Sequence, residues 1–82
     1  MDVFEKVKNA IRKVQPGIDE NKIVPEAILA KDLEIDSLGM VELALAIEDS
    51  FGFYIPDDEL EGVSTVKDAV ILIEAKLRAR NA

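Results

Sequence analysis

The tripeptide Asp36-Ser37-Leu38 lies between a turn-rich stretch and the amphipathic run from Met40 to Phe51, and it holds the clearest capacity for chemistry in the chain. A short carboxylate at Asp36 suits a helix N-cap, where it accepts from the orphan amide N–H groups of the first turn and sets Ser37 at the first helical position. A hydroxyl in that place faces solvent and is fixed in direction. The free N–H groups and the helix dipole favour negative charge, so a phosphodiester built on Ser37 would meet a favourable field. Taken alone, the Asp36-Ser37 pair also reads as a doubled cap with no chemistry attached.

The elements that must position this serine follow from apolar spacing. Val3, Phe4, Val7, Ile11 and Val14 share one helical face, predicting a first helix from about Asp2 to Val14 that Pro16-Gly17 stops. From Gln15 to Ile35 the chain is a long connection with apolar anchors at Ile18, Ile23, Val24, Ile28 and Leu33, and Pro25 to Leu29 could form a short turn of helix. Val66, Ala69, Val70, Ile73 and Leu77 again share a face, with Ser64-Thr65 as cap candidates and Asp68 completing a loose capping box. A last helix from about Thr65 to Arg78 follows, its Lys76, Arg78 and Arg80 complementing the dipole of its own C-terminus.

The segment from Ser37 to Ser50 carries two apolar stripes. At about 100° per residue, Met40, Leu43, Ala44, Ile47 and Phe51 cluster on one side, and Leu38, Val41 and Leu45 form a narrower stripe. The broad stripe can enter a core. The narrow one, flanked by Glu42, Glu48 and Asp49, would then form an apolar strip bordered by carboxylates, the pattern of a protein-docking surface. A central helix burying both stripes is the plainer alternative.

Composition removes many function classes. The 82 residues suffice for one small globular domain, with no Cys and no His. Disulfides, thiolate or imidazole metal sites and a Ser-His-Asp hydrolase are therefore excluded. No apolar run is long enough to span a bilayer and the first residues lack a signal-peptide pattern, so a soluble cytoplasmic protein is expected, without stable membrane insertion.

The net charge is −7, and eight acids but no Lys or Arg lie between Asp36 and Gly62. Such a surface repels nucleic acid and steers basic protein patches towards itself, although an acidic run can also be only a solvated face. Alternating Asp32, Glu34 and Asp36 fail as a calcium loop, because Ser37 occupies the turn position that wants Gly and Leu43 stands where a Glu should close it. No metal site is expected, beyond loose divalent binding at Asp57, Asp58 and Glu59.

The ordered set Glu34-Ile35-Asp36-Ser37-Leu38-Gly39-Met40-Val41-Glu42-Leu43, then Ile47-Glu48, then Phe51-Gly52-Phe53-Tyr54-Ile55-Pro56-Asp57-Asp58-Glu59-Leu60, resembles an acyl carrier protein over nearly the whole chain. The resemblance implies an all-α domain over residues 1–82, a small bundle of three main helices plus a short one around Asp57 to Glu61, with a long loop between the first and second helices. It implies that Ser37, capped by Asp36, carries a 4′-phosphopantetheine arm delivered from coenzyme A by a phosphopantetheinyl transferase. Acyl chains would travel as thioesters between enzymes of fatty acid or related lipid biosynthesis.

By the same resemblance, Leu38, Val41, Glu42, Leu45, Glu48 and Asp49 would meet basic patches on synthases, reductases, dehydratases and acyltransferases, and Met40, Ile47, Ile55, Val63 and Ala69 would line an acyl pocket in a monomer. The chain would be a carrier and not an enzyme. That agrees with its residues, which offer no thiol and no base beyond carboxylates and Lys, so nucleophile activation must come from the modifying enzyme.

Two features depart from the family pattern. Gly39 stands where many members have an acidic residue, thinning the acidic rim and loosening the first helical turn, and Phe53-Tyr54 replace residues that are commonly polar. A specialised carrier for polyketide or another dedicated acyl pathway is one alternative. An unmodified acidic helical adaptor, binding through Leu38, Val41 and Leu45, is another. Peptidyl carrier domains more often show Gly-Gly before the modified serine, so the acyl type is favoured.

Overall fold

The computed structural model describes residues 2–81. Among these, four α-helices and one 3₁₀ turn follow in order, with no strands beyond an isolated antiparallel bridge between Ile28 and Thr65. The all-α architecture of three main helices and one short helix therefore stands.

Helix α1 spans Val3–Val14. Asp2 sits outside it as the N-cap, its Oδ1 accepting from the Glu5 N–H at 3.2 Å, so the expected start shifts by one residue. Val7, Ala10 and Ile11 are buried along its apolar face, which packs against α2 (Ser37–Phe51) and α4 (Val66–Asn81). Helix α3, Asp57–Glu61, has only five residues and buries none of them fully.

The capping box at the start of α4 is complete with Asp in place of Glu. Thr65 Oγ1 accepts from the Asp68 N–H at 3.1 Å, while Asp68 Oδ2 accepts from the Thr65 and Ser64 N–H groups at 3.0 and 3.1 Å. α4 starts at Val66 and continues beyond the expected Arg78 to Asn81.

The long connection differs from expectation in one respect. Pro25 to Leu29 is not helical, and the short helical turn lies at Glu20–Lys22 with Asp19 as its cap. Residues 25–29 instead run alongside the approach to α4: Leu29 N–H donates to Ser64 O, Val66 N–H to Ala27 O and Lys67 N–H to Pro25 O, at 2.9–3.0 Å. An extended pairing satisfies backbone groups that an isolated helical turn would leave open. Ile23, Ala27, Leu29, Leu33 and Ile35 are buried, so the loop closes one side of the core and is held through it.

Candidate functional site

The approach to Ser37 is built by the loop and the end of α1. Gln15 Nε2 donates to the carbonyls of Leu33 at 3.2 Å and Glu34 at 3.0 Å, tying the last loop residues to the C-cap of α1. Glu34 takes a left-handed conformation, φ 55°, and Ile35 is buried immediately after it. The chain is thus turned just before Asp36, whose Oδ1 accepts from the Gly39 N–H at 2.7 Å. Asp36 is the N-cap of α2, and Ser37, its first helical residue, is exposed. The hydroxyl is presented to solvent where the free amides of the helix start converge.

Gly39 has a packing reason. A Cβ there would lie 2.9 Å from Ile35 Cγ2 and 3.3 Å from Asp36 Oδ1, so even one added carbon would displace a buried β-branched side chain or the cap itself. With Ile35 placed as it is, the close approach favours glycine at this position, whatever its absence of charge does to the rim.

The two stripes of α2 separate as their spacing predicts. Leu43, Ala44, Ile47 and Phe51 are buried and Met40 is half-buried, whereas Leu38, Val41 and Leu45 are 67%, 48% and 59% exposed. Beside this strip Glu42 and Asp49 are exposed. Glu48 is only partly so, because its Oε2 accepts the N–H of Ile55 across the α2–α3 loop at 2.7 Å. One oxygen of that carboxylate is committed to the fold, and its other oxygen takes no part in that bond.

From Ser37 an open groove of about 410 Å³ runs between α2 and α3, with Met40, Asp57, Leu60 and Val63 in its walls. Met40, Leu60 and Val63 also line an apolar crevice deeper in the bundle, which brings together all five positions expected of an acyl pocket: Met40, Ile47, Ile55, Val63 and Ala69. As it stands that crevice is nearly closed, with about 10 Å³ of space, room for about one water. A larger hollow of about 540 Å³ lies on the α1 side among Lys6, Arg12, Lys13 and Ser50, away from Ser37.

The bonds of Gln15 and Glu48 carry no signal in the sequence, and neither does that of Arg80, whose Nη1 donates to the Phe51 carbonyl at 2.6 Å and so caps the end of α2 from the last turn of α4. Gly52 beside it adopts φ 75°, the left-handed helix end. Lys76 pairs with Glu59 at 2.6 Å and lies 5.9 Å from the Phe53 ring centroid. Among the described residues no group of three or more Asp or Glu is placed to hold a metal ion, so divalent binding at Asp57, Asp58 and Glu59 gains no support. No described helix is long and apolar enough to cross a membrane.

A small helical bundle that presents one hydroxyl at a helix start, beside an apolar strip edged with acids, defines a protein of the phosphopantetheine-bearing class. A family model described as "Phosphopantetheine attachment site" matches residues 5–73. The chain is 48% identical over 75 residues to the acyl carrier protein of Helicobacter hepaticus, covering 92% of this chain and 97% of that protein. It is 47% identical over 78 residues to the acyl carrier protein of Thermosynechococcus vestitus, covering 95% of each. The chain belongs to the acyl carrier protein family, whose cofactor is 4′-phosphopantetheine.

Proposed function

We propose that residues 1–82 form one acyl carrier domain in which Ser37 is the attachment residue for 4′-phosphopantetheine, and that the chain shuttles acyl groups among enzymes of fatty acid or related lipid biosynthesis in the cytoplasm. The observation that carries this reading is the exposed Ser37 at the first position of α2, fixed by the Asp36 cap at 2.7 Å. The residues suit the group. A hydroxyl with free approach can enter a phosphodiester, the helix start favours the resulting negative charge, and the adjoining groove gives the substituent a surface to follow. When attached, the arm supplies the thiol that this cysteine-free chain lacks.

The chain's own residues hold, orient and shelter. Asp36 and Gln15 fix the position of the serine. The exposed strip Leu38, Val41 and Leu45, with Glu42, Glu48 and Asp49, meets basic patches on the transferase and on synthases, reductases, dehydratases and acyltransferases; apolar anchors inside a charged rim give fast, salt-sensitive encounters. Met40, Ile47, Ile55, Val63 and Ala69 receive the acyl chain once the crevice opens. Leaving it in water would cost about 0.8 kcal/mol per methylene. Opening is feasible because the α3 wall is a single short helix whose N-cap, Pro56, makes no side-chain capping bond, and because Met40 repacks readily.

Incubation with coenzyme A and a broad-specificity phosphopantetheinyl transferase, read by intact mass, tests the reading. The wild type gains one arm and Ser37→Ala gains none. A wild type of unchanged mass would leave the adaptor as the better account.

A further inference from the structure

We propose that Tyr54 extends the docking strip of α2 and selects among partners by receiving an arginine side chain of an acyl-processing enzyme against its ring. The inference rests on the carrier reading above and adds to it a contact outside α2. Backbone alternation in the loop after Gly52 sends Phe53 and Ile55 inwards: Phe53 stacks on Phe51 with centroids 5.7 Å apart, and Ile55 is buried. Tyr54, between them, is 70% exposed, more than any other large apolar side chain in the described residues. A large amphipathic ring left in water is the type of side chain that anchors interfaces.

Its place is set by Glu48. The carboxylate holds the Ile55 N–H at 2.7 Å, so the backbone of Tyr54, one residue earlier, is pinned beside the strip; Leu45 lies one helical turn before Glu48 on the same face. The exposed ring and the pinned backbone together make Tyr54 a candidate continuation of the strip of Leu38, Val41 and Leu45 at its Glu48 end. The charges around it choose the occupant. Glu48 and Asp49 stand on the helix side and Asp57 and Asp58 follow shortly along the chain. The cations at this end of α2 are already engaged: Lys76 with Glu59 and the Phe53 ring, Arg80 with the Phe51 carbonyl and Lys6 over the Phe51 ring. A cation from outside is thus favoured over the ring, and arginine more than lysine, because its planar fork stacks on an aromatic face while bonding carboxylates in its own plane.

Calorimetric titration of the phosphopantetheinylated chain against the condensing synthase of the same organism tests this, with the wild type, Tyr54→Phe, Tyr54→Leu and Tyr54→Ala and with melting curves confirming that each is folded. Tyr54→Phe keeps the ring and binds within about twofold of wild type, whereas Tyr54→Leu and Tyr54→Ala each weaken the Kd about fivefold. Wild-type affinity in Tyr54→Ala overturns the proposal, as does wild-type affinity in Tyr54→Leu, which would leave the ring no part. A modified wild type that shows no binding also overturns it while the carrier reading stands. A wild type that accepts no arm from coenzyme A fails a step earlier and takes both readings with it.

Discussion

Glu48, on the face of α2 that carries the exposed strip, accepts through Oε2 the amide N–H of Ile55, a buried residue in the wall of the apolar crevice, at 2.7 Å. One side chain thereby links the exposed strip to the lining of the crevice. Charge and hydrogen-bonding capacity are separable at this position. Glu48→Gln retains a carbonyl oxygen for Ile55 and should unfold in urea within about 0.5 kcal/mol of wild type, whereas Glu48→Ala leaves the amide without its partner and should lose about 1–2 kcal/mol. Equal midpoints for the two variants would show that the contact contributes nothing to stability.

Gly39 gives a case where helix propensity and packing oppose each other. Replacing a helical Gly by Ala ordinarily gains up to about 1 kcal/mol. Here the new Cβ meets Ile35 Cγ2 at 2.9 Å and the Asp36 cap at 3.3 Å. Ile35 is buried and stiff at χ1, so it cannot yield without opening the core. Gly39→Ala is expected to lower the thermal midpoint and to slow arm transfer to Ser37, because the displaced cap fixes that serine. A raised midpoint would show that the turn relaxes freely.

The end of α2 depends on a residue far away in the chain. Arg80 donates to the Phe51 carbonyl across a separation of 29 residues. Arg80→Ala should destabilise by about 1–2 kcal/mol in urea, since the bond is charge-assisted. Arg80→Lys should recover only part of this, lacking the planar fork. The check is the unfolding midpoint of the three proteins at constant ionic strength; an unchanged midpoint in Arg80→Ala means that water replaces the guanidinium without loss.

Much of the fold was legible because it follows from local rules. The three-and-four spacing of Val3 to Val14 and of Val66 to Leu77, the Asp36 cap and the Thr65-to-Asp68 box all act within one or two helical turns, and each is present in the structure. The split of α2 into a buried and an exposed stripe was legible for the same reason. Contacts made by tertiary approach left no sequence signal. Gln15 reaches carbonyls 18 and 19 residues on, Arg80 reaches 29 back, and Glu48, read as a rim charge, spends one oxygen on a loop seven residues away. The loop over residues 25–29 was harder still, because its pairing partner at Ser64 to Lys67 is distant and a short apolar stretch between turns fits several conformations.

The Asp68 box implies a defined pH dependence. Its carboxyl is held below the ordinary carboxylate range, chiefly by the backbone N–H of Thr65 and then by that of Ser64. The folded protein therefore releases this proton more readily than the unfolded chain, and over the interval between the two values the unfolded state binds more protons. The contribution is complete above the unfolded value near about 4 and is lost as pH falls below it. Wild type should exceed Asp68→Asn in stability by a constant margin from pH 5 to 7, a margin that shrinks as pH falls towards 3. A margin independent of pH throughout would show that the charge plays no part in the cap.

The crevice offers the sharpest test of how cargo is sheltered. Ala69 is buried in the first turns of α4 and faces Met40, Ile47, Ile55 and Val63 across the nearly closed space. A tryptophan there would fill the space proposed for the acyl chain, while Ser37 and its Asp36 cap lie on another element and keep their geometry. Ala69→Trp should therefore accept the arm at close to the wild-type rate. Once loaded with a long acyl group, it should lose its thioester faster, because the sulfur–carbonyl end is no longer drawn towards the protein and the chain remains in water, at about 0.8 kcal/mol for each methylene left exposed. Ala69→Val, adding two methyl groups instead of an indole, should protect short chains better than long ones. The measurement is thioester half-life by mass spectrometry against chain length. Half-lives in Ala69→Trp equal to wild type at every length would place the cargo outside this crevice, along the groove that begins at Ser37.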